Sequence, residues 1–364
     1  MKTMIETQEG ERSLFSPVID FLGLGGGFLI IILPVLLFID PADDEVIAQI
    51  VISCLILANF INHPHFAHSY HIFYRDFKAK AYDKDFPLRQ KYIFAGIGVP
   101  VMLLSFFLYC FAAQNYQALG LAGNVMVFFV GWHYVKQGYG ILMVSSVLKR
   151  RFFNEKEKSL LLFNAYFVWI LSWVWTNEIL AERSRWGVDY YVWNMPDWAM
   201  WLTAVLMLIS SLLVVIMLFK KGVDGLPING VVAYITSLYI WLIVVHIHPA
   251  LLLIVPAFHS LQYLVVVWRY EINRTEASYT QGNDATISVK RRLIGFWLMG
   301  LIFGGLGFWL LPILMDLSVS AHIPDLVNTG FLFIFWVFIN IHHYFIDNVI
   351  WKKENVDVGK YLFY

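Results

Sequence analysis

The chain has 364 residues, 59% hydrophobic and only 14% charged, with a formal net charge of zero. A soluble domain carries about 25% charged residues, so this deficit excludes an ordinary soluble enzyme and points to a chain that crosses a bilayer several times. The neutral balance leaves no electrostatic footprint for nucleic acid, and the two cysteines, Cys54 and Cys110, lie in apolar runs that suit no disulfide framework.

The opening "MKTMIETQEGERSLF" is polar and mixed in charge. It lacks the compact basic region, short apolar run and cleavage site of a signal peptide, so 1–16 reads as a short tail. About ten stretches then have the length and apolarity to cross the ~30 Å hydrocarbon core. They fall near 17–39, 46–73, 92–113, 119–148, 159–180, 198–219, 229–246, 249–270, 292–315 and 327–350. The seventh and eighth run together through "VVHIHPALLLIVPAF", where Pro249 and Pro256 mark either a tight turn or a broken helix. A second short tail follows at 351–364. The expected fold is all-α, a polytopic integral membrane helical bundle forming one domain over 1–364.

Charge orients the bundle. Lys and Arg gather at 75–91, 149–158, 220–221, 269–274, 290–292 and 352–360, whereas the alternate connections "DPADDE", "QNYQ" and "MDLSVSAHIPD" are acidic or neutral. Ten spans put every basic group and both termini on one side, which the positive-inside rule makes cytoplasmic; a bacterial inner membrane is the expected host. Arg183 and Arg185 fall opposite, among Glu182, Asp189 and Asp197, in an aromatic connection (181–198) suited to the membrane interface.

Eight of the 11 histidines fall on the cytoplasmic half: His63, His65, His68, His71, His133, His259, His342 and His343. His133, His259 and the His342-His343 pair precede basic clusters by ten to sixteen residues, or about 15–24 Å of helix. His246, His248 and His322 fall on the outer side. Polar groups at membrane depth are expensive and need partners; one metal site satisfies several imidazoles together, and imidazole suits iron, zinc and copper.

Spacing supports convergence. His65, His68 and His71 step by three along "NHPHFAHSYH", drifting about 60° per step, while Pro64 allows a local break that turns His63 inward. His343 and Asp347 are i,i+4 neighbours, so imidazole and carboxylate share a helix face. Gln137 stands four residues after His133 and Gln262 three after His259, each placed to orient a ligand. Lys136 and Tyr263 are the candidate catalytic side chains, and Lys136 and Arg75 are placed to bind an anionic headgroup.

A polytopic chain with eight cytoplasmic-side histidines, in pieces such as "HPHFAHSYH" and "IHHYF", resembles the fatty acid desaturase and hydroxylase group of histidine-box di-iron membrane enzymes. The resemblance covers the metal site alone. The paired HxxHH boxes are missing, since Ile339 stands three residues before His342, and ten spans replace the usual four. The resemblance implies two iron ions, O₂ as oxidant, a lipid or other apolar substrate and an electron-donor protein. Three other readings stand beside it: a haem-bearing membrane redox protein, a zinc-dependent membrane enzyme, and a proton- or ion-coupled transporter.

Overall fold

The structure is a computed structural model that describes residues 12–181, 183–280, 288–319 and 330–363. Its first helices are α1 (Pro17–Phe21), α2 (Gly27–Phe38), α3 (Asp44–Phe60) and α4 (Asn62–Arg75), with Gly25 at φ 154° kinking the join of α1 and α2. The Asp43 side chain starts α3 by accepting from the Glu45 and Val46 amides, with Asp44 and Glu45 complementing the helix dipole. Pro64 then explains the break between α3 and α4. It lacks an amide hydrogen, and its ring would strike the carbonyl of residue 60, so Ile61 leaves ideal helix geometry at φ −119°.

The chain continues as α5 (Phe77–Tyr82), α6 (Arg89–Ile93), α7 (Val99–Ala112), α8 (Tyr116–Leu148) and α9 (Glu155–Ile179). Asn154 and Glu157 form a capping box at the start of α9. A small hairpin, β1 (Ser184–Arg185) and β2 (Val188–Asp189), follows; Trp186 and Gly187, both at positive φ, make its two-residue turn. Arg185 lies over the rings of Trp186 and Trp336, so this expected interfacial connection is a folded hairpin packed onto the bundle.

The remaining helices are α10 (Asp197–Lys221), α11 (Ile228–Ile247), α12 (Ile254–Thr280), α13 (Val289–Gly305), α14 (Leu311–Val319), α15 (Gly330–Ile350) and α16 (Val356–Leu362). Pro249 opens a 3₁₀ turn between α11 and α12, and Pro256 sits in the first turn of α12, where a missing amide costs little. The seventh and eighth stretches are therefore two helices joined by a tight turn. The eighth runs ten residues beyond its expected end, to Thr280, because "EINRTEASYT" remains helical after its apolar content stops.

Among the described residues, eight helical stretches are long and apolar enough to cross a membrane: Asp44–Arg75, Arg89–Ala112, Tyr116–Leu148, Glu155–Ile179, Asp197–Lys221, Leu251–Thr280, Val289–Ser318 and Gly330–Ile350. Two shorter apolar helices, Pro17–Ile32 and Ile228–Val244, occupy the other expected positions. The segment expected as a tail at 351–364 carries α16, whose Val358 and Leu362 are buried and whose Tyr361 carbonyl accepts from Asn273 at 2.7 Å.

The core is built around α8. A Cβ on Gly138 would fall 2.6 Å from Ser237 Cβ, and one on Gly230 would fall 2.6 Å from Ser145 Cβ. Small residues thus let α8 and α11 approach closely, as in packed membrane helices. On the far side, α4, α12 and α15 enclose the histidines.

Candidate metal centre

Four histidines from four helices meet at one point: His65 of α4, His133 of α8, His259 of α12 and His343 of α15. All four are buried, and one ring nitrogen from each lies within 4.8 Å of the others. Imidazole–metal bonds are about 2.0–2.1 Å, so opposed ligands on one ion stand about 4.2 Å apart. The four nitrogens need to contract by only a few tenths of an ångström each to share an ion. Asp347 joins them through Oδ2, 3.3 Å from His343 Nε2 and 3.7 Å from His133 Nε2.

Hydrogen bonding leaves this set unfilled. The Nε2 atoms of His65, His133, His259 and His343 and the Oδ2 of Asp347 are all buried, and none has a hydrogen-bond partner among the described residues. Each unsatisfied buried polar group costs about 1–3 kcal/mol. Five converging on one point is the arrangement that a bound cation resolves.

The surroundings prepare the ligands. Ser260 Oγ donates its single proton to Asn62 Oδ1 at 2.8 Å and lies 3.0 Å from His65 Nδ1. The serine must therefore accept from His65 Nδ1–H, which puts the lone pair of that imidazole on Nε2, facing the cluster. Tyr134 stacks on His259 with ring centroids 4.0 Å apart. Gln137 Nε2 donates to the His259 carbonyl at 2.9 Å, so it braces the α12 backbone and leaves the ring free. Gln262 accepts from Ser237 at 2.9 Å and donates to the Leu24 carbonyl, tying the kinked first segment to the site. Tyr263 presents its ring 4.4 Å from that of His65.

The other expected ligands go elsewhere. Pro64 breaks the helix, but His63 turns away from the cluster and stacks on Phe308 at 4.2 Å. His68 stacks on Phe296 at 4.0 Å. Gly300 and Gly304 allow these contacts: a Cβ on Gly300 would fall 2.6 Å from the His68 ring, and one on Gly304 2.9 Å from His63 Cβ. His71 also turns to Phe296 and lines a separate cavity. His342 points opposite its neighbour, bonding Tyr70 Oη at 2.6 Å and the Ala95 carbonyl at 2.9 Å. The Nδ1 atoms of His63 and His68 are also buried without partners among the described residues, so an unpaired nitrogen does not mark a ligand unless others converge on it. Lys136 is half-buried.

Of the outer histidines, His246 bonds the Leu242 carbonyl at 2.8 Å and packs on Trp175, and His322 lies outside the described residues. Ser260, Asn62 and Phe66 carry parts of the site that spacing did not single out. The one available signal was a hydroxyl residue directly after His259 on the same helix.

Comparisons with protein-family models, curated proteins and solved structures return no match to this chain.

Proposed function

We propose that this protein is a membrane metalloenzyme in which His65, His133, His259 and His343 hold a single non-haem iron ion, with Asp347 as a fifth ligand or ligand base. The reaction class is oxidation of an apolar substrate by O₂. The observation that supports this most directly is the convergence of five buried, unpartnered donors from four helices. Their spread favours one ion over the two expected from the resemblance to di-iron enzymes, because bridged metals stand about 3.5–4 Å apart and need a wider ligand cage. Four imidazole nitrogens within 4.8 Å of one another leave no room for a porphyrin between them, which weighs against haem.

Nitrogen and carboxylate donors without thiolate suit iron in an oxidative site. Zinc is the competing metal, although catalytic zinc usually keeps three protein ligands and an open position. The bound ion would supply a place for O₂. The chain's own contribution is a dry, fixed set of donors beside an apolar cavity walled by Phe66, whose ring lies 4.7 Å from that of His343. Insertion of both oxygen atoms into substrate needs no further electrons. Hydroxylation would place one oxygen atom in substrate and the other in water, and desaturation would take two hydrogens from substrate and send both oxygen atoms to water; each would need two further electrons from a donor protein and two protons. The basic, His-bearing side of the bundle is the cytoplasmic side in this reading.

Metal analysis of the purified protein, with an optical spectrum, tests the proposal. One iron per chain without a Soret band is expected. Stoichiometric zinc, haem or the absence of metal after iron-replete expression overturns it.

A further inference from the structure

Two neighbouring cavities lie beside α4. The first, about 350 Å³, is walled by Phe66, Ala67, Phe303, Phe308 and Phe335. The second, about 470 Å³, is walled by Arg75, Glu271, Arg274, Ser278 and Arg292. His71 and Met299 line both, so the two cavities are neighbours parted by these side chains. The apolar cavity abuts the metal centre through Phe66, and the charged one lies at the end of α4 that carries Arg75. Ten residues separate Arg75 from His65, about 15 Å of helix rise.

Arginine dominates the charged cavity, whose lining residues include three arginines and one acid, Glu271. Arg75 Nη1 donates to both carboxylate oxygens of Glu271, at 2.9 and 3.0 Å, and Arg274 Nη2 donates to Asp76 Oδ2 at 3.4 Å. Arg75 Nε and Nη2 are buried and make no hydrogen bond among the described residues; the nearest acid to Nε is Asp76 Oδ2 at 3.9 Å. Those two nitrogens face protein and not the cavity, so what suits a carboxylate or phosphate is the surplus of cation in the lining, where Arg75, Arg274 and Arg292 stand with one acid, Glu271.

We propose that the two neighbouring cavities together bind a single-chain amphiphile with an anionic head. The head, a carboxylate or phosphate, pairs with Arg75 and Arg274, and the hydrocarbon chain passes His71 and Met299 into the Phe66 cavity. A neutral lipid would leave the arginine-lined cavity without a counter-charge, and a free anion would leave the apolar cavity empty; this ligand suits both. The inference rests on the metalloenzyme reading and gives that site its substrate class.

Binding of radiolabelled oleate, lysophosphatidate and oleyl alcohol to the purified chain in a neutral detergent tests this, with metal content measured on the same samples. At least one of the two anions is expected to bind roughly tenfold or more tighter than the alcohol, as loss of charged hydrogen bonds would cost. Preference for oleate or for lysophosphatidate identifies the head as carboxylate or phosphate. R75Q and R274Q should erase the preference, and A67F should weaken all three ligands. Equal binding of the alcohol and both anions by the wild-type protein overturns the proposal, as does an undiminished preference in the folded arginine variants. The wild-type comparison stands even where a variant fails to fold. Metal present without head-group preference sinks this inference alone, whereas preference without metal sinks the metalloenzyme reading and leaves the amphiphile site standing.

Discussion

The Tyr263 hydroxyl donates to Asp347 Oδ1 at 3.0 Å, while it accepts a proton from Ser69 Oγ at 2.5 Å. One carboxylate oxygen is thereby held by α12, and the other, Oδ2, is turned toward His343 and His133 without a hydrogen bond of its own among the described residues. Tyr263, expected as a catalytic side chain, is in this geometry a positioning residue for Asp347.

The pair makes Asp347→Asn and Tyr263→Phe a graded series. Partners that orient or complete a metal site typically contribute about 10–100-fold in metal affinity. The first substitution removes the charge and the second only the tether, so both should weaken metal retention in chelator competition, D347N more than Y263F. Wild-type affinity in D347N would remove Asp347 from the site.

Alanine substitution should divide the histidines into two sets. H65A, H133A, H259A and H343A are expected to purify with little metal. H63A, H68A and H342A should retain it at wild-type stoichiometry, because those rings pack on Phe308, on Phe296 and against Tyr70. Metal loss in H68A or H342A equal to that in H65A would contradict the four-histidine centre.

Ser260 offers a finer probe. S260A removes the acceptor that fixes the His65 tautomer, and a loss of about 10–100-fold in metal affinity is expected. S260T keeps the hydroxyl and should bind metal nearly as the wild type does. Equal behaviour of the two variants would deny Ser260 its orienting role.

Helix contact at α8 and α11 predicts a stability effect independent of metal. Gly138→Val places a Cβ 2.6 Å from Ser237 Cβ, an overpacking expected to cost about 1–3 kcal/mol. Thermal unfolding in detergent should show the loss, and S237G in the same chain should recover part of it. An unchanged midpoint for G138V would mean the two helices separate without cost.

Much of the bundle was legible because a bilayer leaves so few options. Each apolar stretch must satisfy its own backbone, so ten stretches in the sequence became ten apolar helical segments. The site was legible only in part. His343 and Asp347 share a face by helix geometry alone, and their proximity followed from spacing. His65 and His68 differ by only about 60° around α4, yet one faces the cluster and the other faces Phe296. The second ring is accommodated by Gly300, more than two hundred residues later, which lets α13 close over it. His342 and His343 diverge for a similar reason, since the Ala95 carbonyl and Tyr70 capture the first. Spacing along one helix does not say which neighbour will lie against it.

The four ligands come from the second, fourth, eighth and tenth apolar stretches, so no contiguous half of the chain holds a complete site. All four imidazoles meet only once α15 has docked against α4, α8 and α12, so an ion in the proposed centre would have its full set of donors only then. In the proposed metal centre, loading would follow that last docking step, and a chain stalled short of α15 would hold three of the four imidazoles.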